Sequence, residues 1–222
     1  IVAGLGFLED EFDMIRNVYH NFKGFKGRIY KKPSHSTHMP VFVVASGPSL
    51  DNDIEFIKNN QSRAIIISCG TTLRILLNQG ITPDIHVEME NVSTASDVMD
   101  LLSKEHELAD ILLIAGNSVD PSLHSYFNDV VFYCRNGPAS ELIFPLDSSA
   151  RIGMSSPSVA NLGFALACDI GFTSIYLFGV DLGARDPAQH HATGAIYDTG
   201  EIKAGISSDE INVPTAANFG GN

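Results

Sequence analysis

Six short apolar runs, rich in β-branched residues, alternate with helix-forming segments along most of this chain, and this alternation strongly constrains the fold. Apolar runs of this kind predict strands that are buried on both faces. Strands separated by helices form βαβ units, and right-handed crossovers then give a mainly parallel sheet. The predicted strands are 41–45, 64–68, 85–87, 111–115, 130–133 and 174–180. The sequence therefore predicts an α/β fold with a doubly wound sheet.

The first predicted strand leads into the turn Ser46-Gly47-Pro48-Ser49 and then into a helix that Ser49 or Asp51 would cap. A strand, a turn of small residues and a helix N-terminus can together hold a phosphate, because backbone N–H groups then point outward and the helix dipole favours an anion. An ordinary βα turn explains the same residues equally well. A single Gly without a Lys excludes a P-loop and a dinucleotide fingerprint.

Five of the predicted strand exits consist of small, polar or acidic residues: 46–49, 68–71, 88–91, 116–118 and 179–183. In an open parallel sheet the ligand binds at the carboxyl ends of the strands, so these exits predict one site at one edge. The acidic exit carries Glu88 and Glu90, which could bind an acceptor, act as a base or hold a divalent ion.

Segments of different character flank the predicted sheet. An amphipathic helix is predicted near the N-terminus, where Leu8, Phe12, Ile15, Tyr19 and Phe22 have helical spacing, and its apolar face needs a partner. The basic stretch 23–32 is expected to be a solvated surface, and the proline-bounded stretch 33–40 to be a linker. We expect three parts: residues 1–39 as a helical segment and linker, 40–182 as the sheet domain, and 183–222 as a flexible lid or the start of a further region.

The composition of the chain excludes several classes of binding partner. The net charge of −12 argues against nucleic acid or an anionic membrane. No apolar run approaches the ~20 residues of a membrane span. The three cysteines are far apart and form no CxxC pair, which predicts no zinc site and a reducing cytoplasm. Because the chain starts without Met and ends within a pattern, we expect it to be a piece of a longer protein.

Two adjacent histidines, His190 and His191, follow the last predicted strand exit at Asp181. They are readily explained as exposed loop residues. Alternatively, one of them is a general base, because the unperturbed pKa of His suits proton removal near neutral pH.

Three stretches carry a resemblance to a known family: 41–50 (VFVVASGPSL), 83–90 (PDIHVEME), and 154–160 (MSSPSVA) leading to 176–182 (YLFGVDL). They resemble the motility accessory factor (Maf) family of flagellin glycosyltransferases, over roughly residues 40–182. The arrangement is also similar to bacterial sialyltransferases that use CMP-sialic acid, which implies a Rossmann-like nucleotide-sugar-binding domain. Those enzymes have Asn in place of Ser46 in the turn.

The resemblance implies transfer of a pseudaminic, legionaminic or sialic type of nonulosonic acid from its CMP derivative to Ser or Thr of flagellin, without a metal or other cofactor. The candidate base is His190 or His191, with Glu88 next. The first turn would contact the nucleotide, and the serines before the sixth strand would contact the phosphate or sugar carboxylate. The candidate donor-binding residues are Ser46, Gly47, Pro48, Ser49, Gly70, Thr71, Glu90, Asn117, Ser155, Ser156, Ser158 and Asp181.

Two alternatives stay open. The same domain resembles an archaeal hydroxymethylpterin pyrophosphokinase, which would use ATP and Mg²⁺ with Asp84, Glu88 and Glu90 as metal ligands. A non-enzymatic nucleotide-binding scaffold of a motility protein is the third possibility. A cytidine preference without metal favours the transferase, and ATP binding that requires Mg²⁺ favours the kinase.

Overall fold

A computed structural model of the chain describes residues 8–23, 27–34, 36–91, 93–143, 148–181, 183 and 190–196. Within these ranges seven parallel strands form one sheet in the order β1-β6-β5-β4-β3-β2-β7. The strands are β1 Arg28–Ile29, β2 Val41–Val44, β3 Ile65–Cys69, β4 Ile85–Glu88, β5 Leu112–Gly116, β6 Asp129–Tyr133 and β7 Ile175–Phe178. The predicted α/β class with a doubly wound, parallel, Rossmann-like sheet is confirmed.

The helices are α1 Leu8–Phe22, α2 Ile54–Asn60, α3 Thr72–Asn78, α4 Thr94–Leu102, α5 Pro138–Ile143 and α6 Val159–Ile170. Successive residues of a strand point to opposite faces of the sheet, so each buried strand supplies both layers. Val41 and Val43 of β2 share a core with α6, whereas Phe42 and Val44 share a core with α2 and α3. Helix α4 packs against β5 and β6 on the same face as α2 and α3.

The position of β2 in the sheet creates the crevice for a site. Strands β2 to β6 follow one another in one direction across the sheet, and the chain then crosses back through α6 to place β7 on the other side of β2. Val41 of β2 is therefore opposite Ile65 of β3 and also opposite Ile175 of β7. The chain reverses its winding here, and ligands bind beside the carboxyl ends of strands at such a point.

One local expectation is corrected by the structure. The residues after β2 form a short 3-10 helix, Pro48–Asn52, and α2 begins only at Ile54, so neither Ser49 nor Asp51 is its N-cap. Helix α6 begins at Val159, because Ser158 and Asn161 form a capping box there. Residues Arg28–Ile29, in the stretch expected to be solvated surface, are exposed and also pair with β6 as an edge strand.

Helix α1 is attached through its polar residues. The Asn17 side-chain amide donates to the carbonyl of Asn91 (2.8 Å) and to that of Ser118 (3.1 Å). The Asn21 amide donates to the carbonyls of Asn117 (3.0 Å) and Val119 (2.8 Å). The expected division into domains stays a prediction, although β1, from the expected N-terminal segment, belongs to the sheet. No helix of the described residues is long and apolar enough to cross a membrane.

Candidate functional site

The exits of β2, β3 and β4 open into one pocket of about 220 Å³. Its polar lining contains six residues that the sequence predicted, and its apolar wall is formed by α4 and the first residue of α6. The lining residues are Ser46, Gly70, Thr71, Glu88, Glu90, Ala95, Val98, Met99, Val159 and His191. The pocket wall, as described, contains two carboxylates and neither Lys nor Arg.

Glu88 is the buried acid of this pocket. It ends β4 and is only 4% exposed. Its Oε1 accepts hydrogen bonds from the backbone N–H groups of Met89 (2.7 Å) and Glu90 (3.0 Å). Burial raises the pKa of Glu88 from its ordinary 4.5 to about 7, although the two N–H donors act in the opposite direction. The side chain is therefore held in one orientation and can gain or lose a proton near neutral pH.

A glycine brings the β3 exit close to this acid. Gly70 has φ +54°, a conformation that residues with a side chain rarely adopt. A Cβ at Gly70 would lie 3.1 Å from Cγ1 of Val159 and 3.9 Å from Oε2 of Glu88. Glycine at this exit leaves room in front of Glu88 Oε2, which no donor among the described residues bonds.

Two hydroxyl groups and an imidazole also line the pocket. The Thr71 hydroxyl donates to Ser46 Oγ at 3.3 Å, and Ser46 Oγ lies 3.5 Å from Nδ1 of His191. If His191 carries its proton on Nδ1 and donates it to Ser46, Nε2 has the lone pair that a base requires. The arrangement thus offers two groups for proton transfer, Glu88 and His191.

His191 reaches the pocket because the segment 190–196 packs on the protein. The Ala192 N–H donates to the Ser46 carbonyl at 2.8 Å, and both the N–H and the hydroxyl of Thr193 donate to Asp51 at 2.9 Å. Ala192, Ala195 and Ile196 are fully buried. Residues 190–196 of the expected lid therefore pack on the protein, whereas 184–189 and 197–222 lie outside the described residues and the lid itself stays a prediction.

Three backbone N–H groups of the turn after β2 are bonded within the protein, which departs from the expectation that they point outward. The Gly47 N–H donates to the Gly179 carbonyl (2.8 Å), the Ser49 N–H to Asp181 Oδ2 (2.8 Å), and the Leu50 N–H to the Gly47 carbonyl (3.0 Å). Pro48 has no N–H to offer. A contact between this turn and a phosphate stays a prediction.

The remaining predicted residues lie outside the pocket lining. Asn117 is buried at the β5 exit, where its Oδ1 accepts hydrogen bonds from the Arg135 N–H (3.2 Å) and the Ser140 hydroxyl (2.8 Å). Ser155 is buried and Ser156 is exposed. His190 is exposed, and Ser158 caps α6. Contacts of these residues, and of Gly47, Pro48, Ser49 and Asp181, with a donor stay predictions.

A larger cavity, of about 480 Å³, lies away from these strand exits. It is bordered by His20, Lys23, Arg28 and His124, together with the beginning of β6. None of the predicted site residues lines it. Its lining also contains Asp129, which pairs with Arg28, and burial lowers the pKa of His124. Lys23 makes the cavity an alternative to the strand-exit pocket for an anionic ligand.

Comparison with known proteins places this geometry in a family. The family model described as "6-hydroxymethylpterin diphosphokinase MptE-like" matches residues 12–187, which is most of the chain. The chain belongs to the MptE-like family. No curated protein matches it.

A solved structure is also similar to this MptE-like chain. The structure of MAf glycosyltransferase from Magnetospirillum magneticum AMB-1 is similar at 43% sequence identity and a TM-score of 0.78. The match covers 84% of this chain and 30% of that one, so the MptE-like chain spans about 30% of the length of that protein. The resemblance to the Maf family is confirmed.

Sequence reasoning missed parts of the MptE-like pocket. The apolar wall on α4, formed by Ala95, Val98 and Met99, resembles an ordinary buried helix face in the sequence. Asp51 was considered only as a helix cap, yet it fixes Thr193 and with it the segment that carries His191. No local pattern pairs two residues so distant in the chain.

Proposed function

We propose that this chain binds a CMP-activated nonulosonic acid at the strand-exit pocket and transfers the sugar to a Ser or Thr hydroxyl of flagellin. The observation that carries the proposal is the 43% identity to the MAf glycosyltransferase over 84% of the chain. The exits of β2 and β4, which belong to the stretches resembling the Maf family, both line the pocket.

The transfer needs a base and no redox partner. A base removes the proton from the acceptor hydroxyl, and the oxygen forms a bond to the anomeric carbon of the sugar. The bond from that carbon to the phosphate oxygen breaks, and CMP leaves with the electron pair. The configuration at the anomeric carbon is inverted. Glu88 is the stronger candidate, because a base with a pKa near the working pH is most effective and its Oε2 faces the pocket. His191 is the second candidate.

The size and charge of the pocket suggest which part of the donor lies inside it and which part lies at its rim. Pockets for drug-sized ligands usually have about 300–1,000 Å³, so 220 Å³ fits one ring rather than a whole CMP-sugar. Two carboxylates without a cation in the described lining disfavour a phosphate inside. The proposal therefore puts the reacting sugar and acceptor hydroxyl beside Glu88, and the phosphate nearer the rim. A reaction without metal and a cytoplasmic location belong to the same proposal.

The family model favours a second candidate function, diphosphate transfer from ATP to a hydroxymethylpterin. Glu88 and Glu90 would then hold Mg²⁺, because hard cations prefer carboxylate oxygens. Asp84, also expected as a ligand, precedes β4, at the other end of the strand from Glu88, and accepts the Ile66 N–H. The described residues contain no group of three or more His, Cys, Asp or Glu side chains placed to hold a metal. This reading therefore requires phosphate oxygens and water as further ligands.

Calorimetric titration with CMP and with ATP, each with EDTA and then with Mg²⁺, tests the proposal. We expect metal-independent binding of CMP, weakened about fivefold by Thr71→Val, which removes one hydroxyl from the pocket. Thr173→Val is the matched control, since Thr173 is exposed and outside the pocket. ATP binding that requires Mg²⁺ would favour the kinase, and no nucleotide binding would favour a scaffold. Transfer itself is then measured as a mass increase of flagellin.

A further inference from the structure

Helix α1 has two apolar sides, one buried and one exposed. Its buried side contains Asn17, Val18 and Asn21. On the other side Leu8, Phe12 and Tyr19 are 68%, 62% and 55% exposed, respectively. An exposed row of large apolar residues marks an interaction surface.

The rotation of α1 is fixed by hydrogen bonds. The amides of Asn17 and Asn21 each donate to two backbone carbonyls after β4 and β5, at 2.8 to 3.1 Å. Turning the apolar residues inward would leave these buried carbonyls without donors, which is costly. The outward position of the apolar residues is therefore a stable property of this fold.

The exposed apolar residues, together with the half-buried Ile15, have the spacing that a second helix requires. Leu8, Phe12, Ile15 and Tyr19 are separated alternately by four and three residues, and we call them the α1 stripe. This spacing is that of a coiled-coil seam, in which two helices cross at a small angle. The stripe is thus shaped for one more helix.

The charges of α1 indicate which helix fits and in which direction. Its first turn is acidic, with Glu9, Asp10 and Glu11, whereas Lys23 follows its last residue. A helix with the same charges fits in the antiparallel direction, because the acidic start of each copy then meets the basic end of the other. In the parallel direction like charges and like dipole ends would be adjacent.

We propose that the α1 stripe is the interface of a homodimer, in which α1 packs antiparallel against α1 of a second copy. Phe12 would lie beside the partner's Tyr19, and the two Ile15 side chains would meet at the two-fold axis. Glu9 would lie near the partner's Lys23. The Lys23 ammonium is 5.8 Å from the centre of its own Tyr19 ring, at the border of the stripe. This inference does not depend on the proposed function.

Sedimentation velocity over a concentration series tests the dimer. We expect a species of twice the 24.0 kDa chain mass at high concentration. Phe12→Glu should raise the dimer dissociation constant at least tenfold, because it buries a charge in the seam. Phe164→Glu is the matched control, since Phe164 is an exposed phenylalanine on α6, and it should leave the constant unchanged.

A charge exchange tests the antiparallel direction. Lys23→Glu should weaken the dimer by repelling the partner's Glu9, and adding Glu9→Lys to it should restore the dimer. A monomer at every concentration would overturn the proposal, as would a dimer insensitive to Phe12→Glu. An unchanged dimer in Lys23→Glu, or no restoration in the double variant, would overturn the antiparallel arrangement. In all variants the melting temperature of the monomer is the check for folding.

Discussion

Replacing Glu88 by Gln tests the central electrostatic feature of the pocket. Glutamine keeps the shape of the side chain, and its oxygen can still accept the hydrogen bonds from Met89 and Glu90. What it removes is the ionisation. Because burial raises the pKa of Glu88 to about 7, the folded protein retains the proton at pH values where the unfolded chain has lost it.

The sign and size of the effect follow from this difference. Below pH 4.5 both states carry the proton, so the group has no effect on stability. Between pH 4.5 and 7 the unfolded state loses the proton first, so wild-type stability falls as the pH rises. A pKa change from 4.5 to about 7 corresponds to about 3 kcal/mol in the free energy of unfolding. The wild type has lost this amount of stability once the pH is above 7. This is a large part of the ~5–15 kcal/mol that stabilises a typical domain.

The assay is urea unfolding of wild type and Glu88→Gln from pH 4 to pH 8. The difference between their free energies of unfolding should be near zero at pH 4 and reach about 3 kcal/mol in favour of the variant at pH 8. Glu90→Gln is a second test, because the Glu90 charge also raises the pKa of Glu88, and this variant should reduce the fall in stability between pH 4.5 and 7. A Glu88→Gln difference that is independent of pH, or that favours wild type at pH 8, would refute the reasoning.

Three further predictions come from the same structure. Gly47→Ala should destabilise the fold by about 2 kcal/mol or more, because a Cβ there would lie 2.5 Å from the Gly179 carbonyl oxygen. Gly153→Ala is the control and should change the melting temperature little, because no atom lies within 4 Å of a Cβ at Gly153. Asp51→Ala should shift the His191 imidazole resonances, lower transfer about tenfold and also lower the melting temperature, because it removes both hydrogen bonds that hold Thr193 in the segment after His191. Burial lowers the pKa of His86 to about 4, so its imidazole should show no titration near pH 6.5, and stability should fall as the pH drops from 6.5 to 4.

The sheet was largely predictable because each central strand is a buried apolar run, and burial on both faces leaves a strong pattern. Strand β1 was missed because Arg28–Ile29 is only two residues long and exposed on both sides. Its place in the sheet results from pairing with β6, far along the chain. The start of α6 is set by the capping box of Ser158 and Asn161, and its end by Gly171 in the left-handed conformation.

The site was predictable to the extent that it follows from strand exits. Ser46, Thr71 and Glu88 meet because parallel strands end at one edge. Asn117 also follows a strand, yet α1 covers that exit. Asp181 accepts a hydrogen bond from the Ser49 N–H, a group that was expected to point outward to a phosphate. This tertiary contact leaves no local pattern in the sequence.

Mapping of backbone amide chemical shifts during titration with a CMP-activated nonulosonic acid tests the central claim most directly, because it locates the ligand. The account predicts that the largest shifts occur at the strand-exit pocket, at Gly70, Thr71 and His191, and that EDTA does not abolish them. Shifts concentrated instead around the larger cavity, at Lys23 and His124, would contradict the account, as would shifts that appear only with Mg²⁺.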